Sequence, residues 1–431
     1  MKKISFVIVI FLSILRVSAQ ESAGFIATAN TIKIQELLPN TISQINKIEA
    51  KEDKIIQIEK DITQEDFDKI CSKLKWIKKL YIDYDNPNIT NILSVGNLST
   101  LESLRMRNVL SSLKMPIDML PLVKLITLKE IDFYGTHITN TDLLQTLVNL
   151  EKVNLNQSNI SSLTFLQFTP LVKELTLSGD NHTFKNFDAI QNLKKIRVLD
   201  LQKNPIVTDE TLNILSNLAE LREITISECN GITSLNFLKN STKLQEIIAI
   251  NCKNIIDVSG LQDLIQLRRV NFSGTPISTV SFITNKSELK ELNISGSNVS
   301  DISPITNCLA IERLDISKTS IADMSSISTL IKLKKLNISN TQISDLTSLN
   351  NNIAITDLEA SDTKISDIST LATCKKLANI NLLRTNISDI KPLYGLDKIS
   401  SLTINNSIPQ AQIDAIKIRF PLIRIDFNDK K

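Results

Sequence analysis

Apolar residues in the second half of the chain return at a fixed interval of 22 residues, with aligned starts at Leu267, Leu289, Ile311, Leu333, Ile355, Leu377 and Ile399. Each start opens the pattern L-x-x-L-x-I-x-x-T-x-I-x-D-I-x-x-L, clearest from Leu333 to Leu349. Its first part alternates. Leu336 and Ile338 are apolar, whereas Lys335, Asn337 and Ser339 are polar. Period two predicts a short, half-buried strand with the apolar pair inward. Asn340, Thr341 and Gln342 then predict a turn, and Ile343, Leu346 and Leu349 supply further inward anchors. One coil of this size cannot bury its own apolar side chains. Coils stacked in register join them into continuous rows and set the strands in a parallel sheet. The pattern therefore predicts an α/β solenoid: a curved repeat array with the sheet on its concave face and short helical or irregular segments on its convex face.

The frame continues backwards with looser spacing, through starts at Leu244, Leu221, Ile196, Val172, Leu150, Leu128, Leu101 and Ile77. Asp53 to Ile58 is read as a degenerate strand ahead of them. Asp61 to Leu74 has helical spacing through Ile62, Phe67, Ile70, Cys71 and Leu74, and Trp76 lies beside it. These residues are expected to cap the first coil. The longest step, Leu101 to Leu128, carries Pro116 and Pro121 and predicts a loop bulging from one coil. Pro409 to Arg419 predicts a short helix before a last strand over residues 420–425. The expected organisation is a signal segment over 1–19, an N-terminal cap over 20–76, repeats over 77–408 and a C-terminal cap over 409–431.

This frame resembles the leucine-rich repeat over about four fifths of the chain. Segments such as Val299-Ser300-Asp301-Ile302-Ser303-Pro304-Ile305 are most similar to bacterial internalin-type repeats. That family usually places Asn at the ninth frame position. Here the position holds Thr275, Ser297, Thr319, Thr341, Thr363, Thr385 and Ser407, while Asn204 keeps the family residue. A hydroxyl can donate to one carbonyl and accept from one amide, doing part of the same work. Cys229 and Cys252 occupy that position in adjacent coils and resemble cysteine-containing variants. They are expected to be buried, and either thiols or a disulfide fit an oxidising compartment. Asp301, Asp323, Asp345, Asp367 and Asp389 recur before the far-side segments and are read as caps of a helical turn rather than a calcium ladder.

Residues 1–19 combine Met1-Lys2-Lys3, an apolar run from Ile4 to Leu15 and Arg16-Val17-Ser18-Ala19. This is the pattern of a secretory signal, and the run is too short to span a membrane. Loss of Lys2, Lys3 and Arg16 would lower the 49 basic residues to equal the 46 acidic ones. A net charge of zero argues against nucleic acid as a partner. Without a membrane span or a sorting signal, an exported bacterial protein, secreted or at the periplasm or cell surface, is expected.

Candidate chemistry is sparse. His137 and His182 fall two coils apart with no ligand beside them, so no metal site is expected. Nine glycines leave no phosphate cradle, and no nucleophile motif occurs. No catalytic residue, cofactor or metal is assigned, and no enzyme activity is expected. The resemblance instead implies binding by the outward strand positions. Those positions are small and polar in the later coils. They depart from this in Tyr81, Tyr84, Arg105, Arg107 and Tyr134, and in Ile248 with Ile250. Tyr and Arg often dominate protein interfaces, and an apolar pair on an open sheet is a contact candidate. The expected partner is a protein, with a glycan second. The expected role is an exported binding module, in adhesion if the resemblance extends that far. The alternative is an envelope or assembly scaffold that self-associates.

Overall fold

The computed structural model describes residues 20–22, 24–59, 61–83, 86–109, 115–179 and 184–427. The signal-like segment, Tyr84, His182 and residues 110–114 of the long step lie outside the described residues. The chain packs as two compact units, Met1–Val198 and Leu199–Lys431.

In the first unit, β1 (Gln20–Ser22), β2 (Phe25–Ala27) and β3 (Thr31–Ile34) pair antiparallel in succession. From β3 onward every main-sheet pairing is parallel. It runs through β4 (Ile55–Ile58), β5 (Lys79–Ile82), β6 (Ser103–Met106), β8 (Glu130–Asp132), β10 (Lys152–Asn154) and β11 (Glu174–Thr176). Parallel pairing thus starts earlier in the chain than the repeat frame, because Ile32, Ile34, Ile56 and Ile58 already supply a fully buried pair per strand. The helix α1 (Thr41–Ile45) lies between β3 and β4, and α2 (Gln64–Lys73) precedes β5. Thr63 starts α2 by accepting from the Asp66 amide at 3.1 Å. Phe67, Ile70 and Cys71 form its buried face. Trp76 is half-buried and donates from its indole nitrogen to Asn46 Oδ1 at 2.8 Å. In the long step, β7 (Ile117–Asp118) pairs with β9 (Ile138–Thr139) away from the main sheet.

The second unit repeats one coil. Its strands are β13 (Glu223–Thr225), β14 (Glu246–Ile248), β15 (Arg269–Asn271), β16 (Glu291–Asn293), β17 (Arg313–Asp315), β18 (Lys335–Asn337), β19 (Asp357–Glu359), β20 (Asn379–Asn381), β21 (Ser401–Thr403) and β22 (Arg424–Asp426), each parallel to the next. The strand β12 (Val198–Asp200) falls at the division between the units. Two further helices, α3 (Asp209–Leu212) and α4 (Gln410–Arg419), complete the elements used below. Leu336, Ile338, Ile343, Leu346 and Leu349 are all at most 1% exposed, so each predicted anchor points inward. Each such side chain contributes about 1.5–3 kcal/mol of burial. Opposite the strands the coil makes short 3-10 turns, such as Ser303–Asn307 and Thr347–Asn351.

Side-chain oxygens shape each coil. The eighth frame position is left-handed at Lys318, Asn340, Asp362 and Arg384 alike. That twist aims its amide at the next coil: Lys318 donates to the Ser339 carbonyl and Asn340 to the Ser361 carbonyl, each at 2.8 Å. The ladder therefore outruns the three-residue strands. The ninth-position hydroxyls of Thr319, Thr341, Thr363 and Thr385 donate to the carbonyl three residues earlier at 2.6–2.8 Å. Only the donating half of the expected pair is seen at these four. Asp301, Asp323, Asp345, Asp367 and Asp389 each accept the amide two residues on, at 2.7–2.9 Å. They therefore cap 3-10 turns rather than α-helical ones.

The five cysteines are buried free thiols. Cys229 donates to the Leu201 carbonyl at 3.2 Å and Cys252 to that of Ile226 at 3.0 Å, so both bridge coils as hydrogen-bond donors. Burial pushes their pKa values up to about 12 and about 11. Lys286 occupies a position where other coils bury Cys308, Leu330 or Cys374, and it is 1% exposed. Its ammonium donates to the Gln262 carbonyl at 2.5 Å, and burial holds its pKa below the usual range.

Candidate interaction surface

Strand register sets the outward residues in rows. In the first unit one row runs Gln57, Tyr81, Arg105, Asp132, Asn154 and Thr176 across β4, β5, β6, β8, β10 and β11. Neighbouring strands lie about 4.8 Å apart, so each residue meets the next. The Arg105 guanidinium stacks 4.2 Å over the Tyr81 ring. It also lies 3.7 Å from both Asp83 Oδ1 and Asp132 Oδ2. Arg107 donates from Nε and Nη2 to the same Asp132 oxygen, at 2.8 and 2.5 Å. Those bonds hold the Arg107 pKa above its usual value. The Asp132 side chain is only 7% exposed, while those of Arg105 and Arg107 are 26% and 39% exposed. A buried carboxylate therefore anchors two partly exposed guanidinium groups.

Tyr134, half-buried, follows Asp132 and donates its amide to Asp132 Oδ1 at 3.2 Å. An open hollow of about 200 Å³ beside these residues is lined by Arg105, Arg107 and Lys152 against Glu130, Asp132 and Glu174. Three cations face three carboxylates, so it is polar but balanced. The structure thus brings together Tyr81, Arg105 and Arg107, with the Tyr134 backbone amide bonded to the carboxylate that the two arginines share. Sequence reasoning missed Asp132 and Asp83 as the organisers. The available signal was acid and base alternating between coils at one frame position.

Ile248 and Ile250 lie on and just after β14, both half-buried, while Ile247 and Ala249 are fully buried. Both point outward, as the alternation requires. Ile248 sits between Thr225 and Asn271. One row away, Arg269 bridges Glu246 at 3.0 Å and Glu291 at 3.3 Å, and Arg313 meets Glu291 at 2.5 Å. This ion ladder was not anticipated. Its arginine side chains are 44% and 47% exposed, so it stabilises little and borders the isoleucine pair with charge.

His137 is half-buried, with Nε2 3.2 Å from Asn159 Nδ2. Among the described residues no group of three His, Cys, Asp or Glu could hold a metal ion, and no helix is long and apolar enough to cross a membrane.

Solved structures share this coil. An internalin of Listeria monocytogenes, InlF, matches 69% of this chain and 83% of its own, at 23% identity and a TM-score of 0.60. A leucine-rich repeat protein of Leptospira interrogans matches 92% of this chain and 99% of its own, at 16% identity and a TM-score of 0.73. The functional domain of InlJ from Listeria monocytogenes, which includes a cysteine ladder, matches 78% and 69% at 17% identity and a TM-score of 0.54. No protein-family model and no curated protein matches the sequence. These likenesses establish the leucine-rich repeat fold, and the resemblance to internalins implied by the frame recurs in them.

Proposed function

We propose that this leucine-rich repeat chain is an exported, non-enzymatic binding module whose first-unit sheet face engages a protein. The supporting observation is the Tyr81–Arg105–Arg107 cluster fixed by Asp132. Interfaces draw much of their affinity from Tyr and Arg, and prior ordering reduces the entropy lost on binding. Each guanidinium already faces a carboxylate, so the cluster suits a partner with mixed polar side chains better than a polyanion. Ile248 and Ile250 are a second contact, bordered by charge. Adhesion is the finer reading that the internalin likeness supports, and a glycan is the second choice of ligand.

The test is capture on immobilised protein of extracellular proteins from the producing cell's surroundings, followed by affinity measurement. The combined Tyr81→Ala, Arg105→Ala, Tyr134→Ala variant should bind the captured partner at least about tenfold more weakly, with an unchanged circular dichroism spectrum. Affinity within twofold of the parent would remove this face from the account. The alternative, a self-associating scaffold, is favoured by one specific observation at β22, developed next.

A further inference from the structure

Among the described residues, β22 has one strand neighbour, β21. Leu422 holds the first frame position, where Leu333, Ile355 and Leu377 are fully buried, yet it is 97% exposed. Ile425 continues the buried row of Leu336, Leu358 and Leu402, and Phe427 continues that of Ile404, but both are only half-buried. Ile423 stands where earlier coils carry Lys290, Glu312, Lys334 or Ser400. Ile418 on α4 is 80% exposed. Leu422, Ile423, Ile425 and Phe427 thus gather along one open edge.

Among the described residues the backbone there also has no strand partner on one side. Arg424 donates its amide to the Ser400 carbonyl at 2.9 Å, and the Asp426 carbonyl accepts from Ile404 at 3.1 Å. Residues 424 and 426 therefore face β21, and strand alternation turns the Ile425 amide and carbonyl outward. An edge of this kind is a template for another strand.

Its sequence is self-complementary. In an antiparallel pair centred on Ile425, the two copies of Ile425 exchange both hydrogen bonds. Arg424 of each copy then opposes Asp426 of the other, and Ile423 opposes Phe427. A slip of one residue either way sets a charge against an apolar side chain, so a single register matches charge with charge and apolar with apolar. Arg424 and Asp426 already meet within the chain at 2.9 Å, which places both on one face.

We propose that a second copy of this chain docks on β22, giving a two-fold symmetric dimer through antiparallel β22–β22 pairing. This deepens the self-association alternative and is independent of the first-unit binding face. The strand is short, so the dimer should dissociate on dilution.

Sedimentation velocity on the purified chain from about 1 to 100 μM should show a monomer–dimer equilibrium. Arg424→Asp puts two like-charge pairs across the axis and should weaken the dimer on the order of tenfold. Arg424→Asp with Asp426→Arg should restore it, because the swapped residues again pair across the axis. Leu422→Glu, at a side chain with no packing to lose, should weaken it as well. Circular dichroism and thermal melting confirm that each variant is folded. A chain monomeric throughout, as when another protein or another segment of the polypeptide covers the edge, overturns the proposal. So does a dimer indifferent to Arg424→Asp, a double swap that fails to rescue, or mass growing beyond two copies. Failure here leaves partner capture by the first unit untouched, and the converse holds.

Discussion

Replacing Asp132 by Asn probes the arrangement on which the binding reading rests. Its carboxylate accepts two hydrogen bonds from Arg107 and lies 3.7 Å from Arg105 Nε, with 7% of the side chain exposed. An asparagine keeps an oxygen for the Tyr134 amide but turns its NH2 group towards Arg107, donor against donor. Removing one member of a fully buried ion pair costs roughly 3–5 kcal/mol. Arg105 and Arg107 are 26% and 39% exposed and can recover water, so the expected loss falls to about 1–2 kcal/mol. Because the carboxylate is buried, about 0.5 M salt should remove only a minor part of it. Native-state hydrogen exchange on amides of β6 and β8 reads this as a drop in local opening free energy. A double-mutant cycle with Arg107→Ala should return a coupling of at least about 0.5 kcal/mol. A loss below about 0.3 kcal/mol, or complete screening by salt, would show that Asp132 is not the anchor.

Two further outcomes follow from buried groups. Lys286→Met removes a cation held against a single carbonyl, so at neutral pH the variant should be more stable by about 1 kcal/mol, the lost bond to Gln262 offsetting part of the larger gain seen when buried ions become apolar. The folded pKa of Lys286 lies below 10.5, so the unfolded chain binds its proton more tightly; the parent's penalty is full at low pH and fades as pH rises towards 10.5. Chemical denaturation of both proteins from pH 7 to 10 should show the difference shrinking, and a constant difference would locate the ammonium in water. Cys229 and Cys252, with thiols pushed up to about 12 and about 11, should resist a thiol-reactive dye at pH 8 until denaturant is added, and rapid labelling of the native protein would contradict their burial.

The rows of this fold were legible because period determines direction. Leu336 and Ile338 could point nowhere but inward once the strand was recognised, and Ile248 and Ile250 could not avoid the open face. The hydrogen bonds were less legible. Thr341 and Asp345 were recognisable as polar punctuation, but the left-handed eighth position, marked by glycine at Gly274 and Gly296, carries Lys, Asn, Asp or Arg in the coils from Lys318 to Arg384, and the 3-10 turn at Thr347–Asn351 has no residue signature of its own. The strand β4 was legible as a degenerate strand at Asp53 to Ile58, whereas β3 was not, although Ile32 precedes its partner Ile56 by the same 24 residues that separate Ile56 from Leu80. Pattern also misleads at Leu309, Ile331 and Ile353, which recur 22 residues apart like core residues yet are 53–60% exposed at the turn into each strand.

A repeat protein carries its individuality in departures from its own columns, and the sequence reveals each departure without revealing its consequence. Lys286 in a column mostly of Leu and Cys, and Ile423 in a column of Lys, Glu, Thr, Ala and Ser, are anomalous as letters, whereas Asp132 shares its column with Asp200 and Asp315 and does not stand out. Exposure separates them. Lys286 is sealed inside and acts only on stability. Asp132 is buried but holds two guanidinium groups that reach the surface. Ile423 is half-buried beside an open strand edge, where the part of its apolar surface left to water can gain only from another molecule. A departure therefore points outward only when the side chain, or the group it holds, meets water. By that criterion the proposed binding sites of this chain are the Tyr81–Arg107 cluster, the outward pair Ile248 and Ile250, and the β22 edge.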